Sequence, residues 1–195
     1  MPDEFTVPPA GAAVAPQQEE PEKQDEIPAI GMEVKTPLNE DLLLEEAANI
    51  TDAMRDAYLV HTMTDEPYEE TYEVAKGALK ITFKSKSLQD YHASVDWVNS
   101  KLTPETTNQQ FYSYEALADL ACFLKKVTAI HPTEGKEGTI DYTAYPFASR
   151  VEHLLKFSGS KFILFTELLS RFAARMEVMR RELLESGLLQ AAIVT

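Results

Sequence analysis

The stretch 161-KFILFTELLSRFAARMEVMRRELL-184 decides the fold class. Its large apolar residues fall at Phe162, Phe165, Leu169, Phe172, Met176, Met179 and Leu183, in alternating steps of three and four. That spacing gathers them on one stripe of an α-helix. Leu168 widens the stripe, as a core-facing helix requires. Phe and Met predominate where a two-stranded coil favours Ile, Val and Leu. Such a ridge has two possible destinations: the core of this chain, or the surface of a second copy or another protein. Glu167 with Arg171, and Glu177 with Arg181, stand four apart and can pair along the outer side. The helix is expected over about 160–186, stopped by Gly187.

Helical periodicity continues on the N-terminal side. A short helix is expected over 147–157, carrying Val151, Leu154 and Leu155 and broken at Ser158-Gly159. Before it, "HPTEGKEGTIDYTAYP" reads as a loop with two glycines and two prolines. A helix from about Ser113 to Ala129 precedes that loop, with Leu117, Leu120, Ala121, Leu124 and Val127 as its stripe. In "LQDYHASVDWVNSKL", Leu88, Tyr91, Val95, Val98 and Leu102 share one face. Ser87 and Asp90 form a capping-box pattern at its start, and Pro104 follows its end. Trp97 falls beside that face, at the edge of the core or on a contact surface. A first helix is expected from the N-cap Asn39 to about Thr64, with Leu43, Ala47, Ile50, Met54, Ala57 and His61 on one side.

One region departs from this period. Tyr68, Tyr72 and Val74, then Leu79, Ile81 and Phe83, alternate with polar residues around Gly77. Period two predicts a β-hairpin near 70–85, with strands at 70–75 and 79–85. A lone hairpin is marginal in water, so its apolar face must lie on helices or join another sheet. Lys80 and Lys84 would then face solvent or an acidic partner. The expected fold is mainly α: a helical bundle with one small hairpin over residues 39–187, an extended N-terminal arm over 1–38, and an apolar C-terminal tail over 188–195.

Charge divides the chain in the same way. Residues 1–75 hold 19 acids and 3 bases, whereas 76–195 hold 13 acids and 15 bases. Seven of the eleven prolines lie in 1–38. Such a segment buries too little apolar surface to offset its ordering entropy, so it is either a solvated tail or an arm that orders on a partner. Its charge would steer it toward basic surfaces, an attraction that salt screens. No basic stripe with interleaved aromatics is present, and a chain this acidic repels nucleic acid and anionic membrane. No run of about 18 apolar residues marks a membrane span, and "MPDEFTVPPAG" lacks the basic and apolar regions of a secretory signal.

Reactive constellations are sparse. The four histidines are scattered, with no pair at i, i+4 and no Cys/His cluster. Phosphate-binding glycine loops and nucleophile elbows do not occur. The serines of "SGSKF" read as helix caps. Cys122, the only cysteine, lies in the apolar run "LADLACFLKKV" and is expected to be buried and inert. No catalytic residue, metal site or cofactor is expected. Partner contacts are expected instead from Phe162, Phe165, Leu169, Phe172 and Met176 on the long helix and from Leu188, Leu189 and Ile193 in the tail.

The order of parts carries a resemblance. "ALKITFKSKS" leads into "LQDYHASVDWV", then into the central helix "YEALADLACFLKKVTAI". "FASRVEHLLKFSGSKFILFTELLSRFAARMEVM" then places an arginine, a short helix, a small-residue break and a long helix in succession. Over about residues 78–184 this resembles tail-assembly and baseplate-assembly proteins of tailed bacteriophages. Self-association is open from the seam of the long helix itself; the resemblance implies a non-enzymatic protein that binds other tail or baseplate proteins, the tape measure among them. It would act in the host cytoplasm during assembly or be retained in the virion tail. Arg150 would match the arginine before the short helix. A cytosolic adaptor or regulatory domain unrelated to phage is the alternative from a different class.

Overall fold

The structure, a computed structural model, describes residues 39–64, 66–130 and 137–186. The arm at 1–38 and the tail at 188–195, with Leu188, Leu189 and Ile193, lie outside the described residues. The described chain runs α1 (Glu40–Ala47), α2 (Asp52–Met63), β1 (Glu69–Val74), β2 (Leu79–Lys84), α3 (Leu88–Lys101), α4 (Asn108–Phe123), β3 (Leu124–Ile130), β4 (Glu137–Asp141), a 3-10 turn at Tyr142–Ala144, α5 (Phe147–Leu155) and α6 (Gly159–Glu185).

The mainly helical expectation stands, but the lone hairpin does not. The strands form one four-stranded antiparallel sheet in the order β1-β2-β3-β4. The hairpin both joins a larger sheet and lies on helices. Tyr72, Ile81, Val127 and Ile140 stand opposite one another in a row across all four strands. That row faces a core that includes Leu117, Leu120, Val151, Leu154, Phe165 and Phe172. On the other face, the hydroxyls of Thr71 and Thr82, and of Thr128 and Thr139, meet at 2.9 and 3.0 Å. The β1–β2 turn passes through Ala75, Lys76 and Gly77, all at positive φ, and glycine alone carries no side-chain penalty there.

Two expected helices are corrected. The helix predicted over Ser113–Ala129 is α4, which ends at Phe123 and passes directly into β3. Leu124 is already extended, with φ −70° and ψ 112°. Part of the stretch read as a loop before α5 is β4, the partner of β3. The helix predicted from Asn39 to Thr64 is two helices. Asn39 caps α1 as expected, accepting from the Asp41 amide at 3.0 Å. Thr51 opens α2 by accepting from the Met54 amide at 3.3 Å. The break lets Ile50 turn into the core.

α6 lies along the core, with α1, α2 and α4 packed against it, while α3 and α5 pack on α4. Phe172 contacts the rings of Tyr68, Phe83 and Phe123 at 5.8, 5.8 and 6.1 Å. Phe165 meets Phe157 at 5.2 Å. α1 is tied to α6 by charge: buried Glu46 accepts from Arg171 and Arg175, and Arg175 also donates to Glu70 on β1.

Candidate partner-binding surface

The five α6 residues expected on a docking face line this chain's own fold. Phe165, Leu169 and Phe172 are buried, and Phe162 and Met176 are half-buried against the same core. As an exposed docking surface that stripe is corrected to intramolecular packing, because the sheet supplies the opposing apolar face. The expected charge pairs partly form. Glu177 accepts from Arg181 at 2.8 Å and from Arg180 at 2.7 Å. Arg171 stands 4.0 Å from Glu167 and is committed to Glu45 and Glu46.

α3 reverses expectation. Its periodicity points the apolar seam inward, yet Leu88 is 72% exposed, Tyr91 50%, Leu102 38% and Val95 37%. Only Val98 of that seam is buried. The helix instead buries Asp90, Ser94 and Val98, with Trp97 half-buried at the core edge beside Tyr114. The cause lies in Asp90. Ser87 caps the helix by accepting from the Asp90 amide at 3.0 Å, but the Asp90 carboxylate does not complete a capping box. It accepts from Lys84 Nζ at 2.5 Å, Ser87 Oγ at 2.9 Å and Arg150 Nη1 at 2.9 Å. A carboxylate with two cations becomes an inward anchor, which turns the apolar seam outward. Large apolar residues at helical spacing are thereby left exposed.

Arg150, on α5, also donates to the carbonyls of Tyr145 and Ala121, at 2.8 and 3.4 Å, and so joins α3, α4 and α5. Of the lysines expected on the strand face, Lys80 is exposed as expected and pairs with Glu73, while Lys84 is turned to Asp90. Lys86, beyond the end of β2, pairs with Asp119.

The titratable groups have structural partners. Cys122 is buried and donates to the Asp90 carbonyl at 3.3 Å; burial pushes its thiol up to about 11, so it is protonated at neutral pH. Burial raises the Glu70 carboxyl against the pull of Arg175. Burial also opposes ionisation of Asp90, but Lys84, Ser87 and Arg150 outweigh it and hold the group below its ordinary value. The hydrogen bond from Arg180, assisted by Arg181, lowers Glu177 to about 2, and Arg55 lowers Glu182. A depressed carboxylate adds stability above its unfolded pKa, and that stability is lost as pH falls through the folded value. The urea midpoint should therefore drop between about pH 4 and pH 2. Asp90→Asn should flatten that drop; an unchanged slope would remove Asp90 from its cause. Among the described residues, no group of three or more His, Cys, Asp or Glu is placed to hold a metal ion, and no helix is long and apolar enough to cross a membrane.

A second surface feature lies between α2 and β1. Ala57, Val60, Pro67 and Glu66 line a cleft of about 230 Å³ that reaches Tyr68 and Glu69. No family model matches the chain, and comparison with curated proteins and with solved structures gives no match.

Proposed function

We propose that this chain is a non-enzymatic tail or baseplate assembly protein of a tailed bacteriophage, working through protein–protein contacts. One observation carries the binding part of this reading: the outward seam of α3, with Leu88, Tyr91, Val95 and Leu102 unburied on a helix otherwise fixed by Asp90. Leaving such residues in water forgoes the stabilisation that burial brings, and a partner's apolar face recovers it. The phage assignment rests on the order of parts. A strand enters α3 and a central helix follows; after β3 and β4, which the resemblance does not include, come α5 with Arg150 within it, a small-residue break and a long helix. The partners are tail or baseplate proteins, the tape measure among them. The site of action is the host cytoplasm during assembly or the virion tail.

Leu88→Glu with Val95→Glu tests the seam. Both changes keep good helix formers in place or restore them. The melting temperature should stay within about 2 °C of the parent, as for surface changes. Binding to a tail or baseplate protein recovered from infected cells should weaken by roughly tenfold or more per residue. Recovery of host signalling or metabolic proteins instead would favour the adaptor reading. Equal recovery of the same tail protein by both forms would move the contact off α3.

A further inference from the structure

We propose that the cleft between α2 and β1 is a second docking site, one that takes a basic, extended peptide through a single apolar side chain. The inference deepens the reading of the chain as a partner-binding protein and rests on it, but it concerns a different surface from the α3 seam.

Size comes first. The cleft holds about 230 Å³, below the range of sites that enclose a drug-sized molecule, and suited to one side chain. Ala57, Val60 and Pro67 give it apolar lining, and the exposed Met63 follows on the same helix. His61 stands between the apolar and acidic parts. Its Nδ1 lies 2.6 Å from the Glu66 carbonyl oxygen, which can only accept, so Nδ1 carries the proton. That contact holds the ring against the segment leading into β1.

Charge selects the occupant. Residues 39–75 carry eleven acids and one base, Arg55; Glu45, Glu46 and Glu70 are paired with Arg171 and Arg175 of α6, and Arg55 is engaged by Glu182 and Asp52. Of the two acids that line the cleft, Glu69 is paired with Lys125. The other, Glu66, has no cationic partner among the described residues, and Asp56, exposed one residue before Ala57 on α2, has none either. The local surplus is negative, which suits lysine or arginine on both sides of the apolar anchor. Geometry favours an extended peptide. β1 begins at the cleft and is the outermost strand, paired on one side with β2 and on the other with no described strand. An extended segment can continue from the cleft along such an edge.

The test uses the full chain and three fluorescein-labelled octapeptides: alternating lysine and leucine, all lysine, and alternating glutamate and leucine. The lysine–leucine peptide should bind most tightly, the all-lysine peptide more weakly, and the glutamate–leucine peptide not measurably. Ala57→Leu fills the cleft without changing charge. It should weaken lysine–leucine binding roughly 10- to 100-fold, to the level of the all-lysine peptide. Ala57 is exposed on α2, so circular dichroism and melting should match the parent. Glu66→Gln should weaken both basic peptides by a smaller factor. Amide shifts in the parent should centre on Val60, His61 and Glu69. Equal affinity of Ala57→Leu and parent, or of the two basic peptides, would overturn the cleft as an anchor. A dimer of the parent that Ala57→Leu abolishes would assign the cleft to a second copy and overturn the peptide. If the peptide test fails while Leu88→Glu with Val95→Glu still loses its tail partner, this inference falls and the proposed function stands.

Discussion

Phe172→Ala is expected to lower the free energy of unfolding by about 3–5 kcal/mol, the range for removing a fully buried aromatic ring. The ring is the meeting point of α6 with three other parts of the fold. It stacks on Tyr68 ahead of β1, tilts against Phe83 of β2 and stands edge-on to Phe123 at the end of α4. Its removal withdraws apolar area and leaves a void bordered by rigid rings and by strand backbone, which collapses poorly. For a chain of this size the loss corresponds to a melting shift of roughly 6–20 °C. Phe162→Ala, at a half-buried position on the same stripe, should cost clearly less. Urea unfolding followed by circular dichroism gives both numbers. A Phe172→Ala protein with parental stability but no partner binding would return the stripe to an interface and undo its assignment to the core.

The contrast between α6 and α3 shows what periodicity can reveal. Both have apolar residues at steps of three and four. The α6 stripe is buried because the apolar row of the sheet and α4 lie opposite it. The α3 stripe is exposed because polar Asp90 is the inward anchor, held by Lys84 six residues earlier and Arg150 sixty residues later. Spacing identifies a helix face; the side on which the core lies depends on pairings distant in the chain. The hairpin was legible from alternation around Gly77, and the caps Asn39 and Ser87 from their residue types. β3 was not legible, because Leu117, Leu120, Ala121, Leu124 and Val127 keep helical spacing across the end of α4. No glycine or proline separates helix from strand there. The available signal was the β-branched run Val127, Thr128 and Ile130. Pairing with β2 on one side and β4 on the other overrides the helical pattern, as tertiary context does for short segments. The α2–β1 cleft had no signal in the sequence, since it arises from where two elements meet.

Asp90→Asn is expected to cost about 3–5 kcal/mol, as much as a core truncation, although it removes no volume. The loss comes from what remains. Lys84 and Arg150 both point at this carboxylate and are mostly buried with it. With a neutral amide at position 90, two cations share an interior position with no counter-charge, and the amide's own N–H groups add donors where only acceptors fit. The inward anchor of α3 is weakened, and with it the orientation that turns Leu88, Tyr91 and Val95 outward, the face proposed to bind a partner. Partner binding should therefore weaken along with stability. Replacing the whole group separates the two effects. Lys84→Met, Asp90→Leu and Arg150→Met together remove the charges along with the desolvation they impose, and should recover most of the lost stability. If α3 needs the charge network for its rotation, the triple variant will be stable and still bind poorly. If apolar packing holds the same rotation, binding will return with stability. A single Asp90→Asn variant that loses less than about 1 kcal/mol would mean the two cations find water at this site, and the ionic anchor would then not be what turns α3 outward.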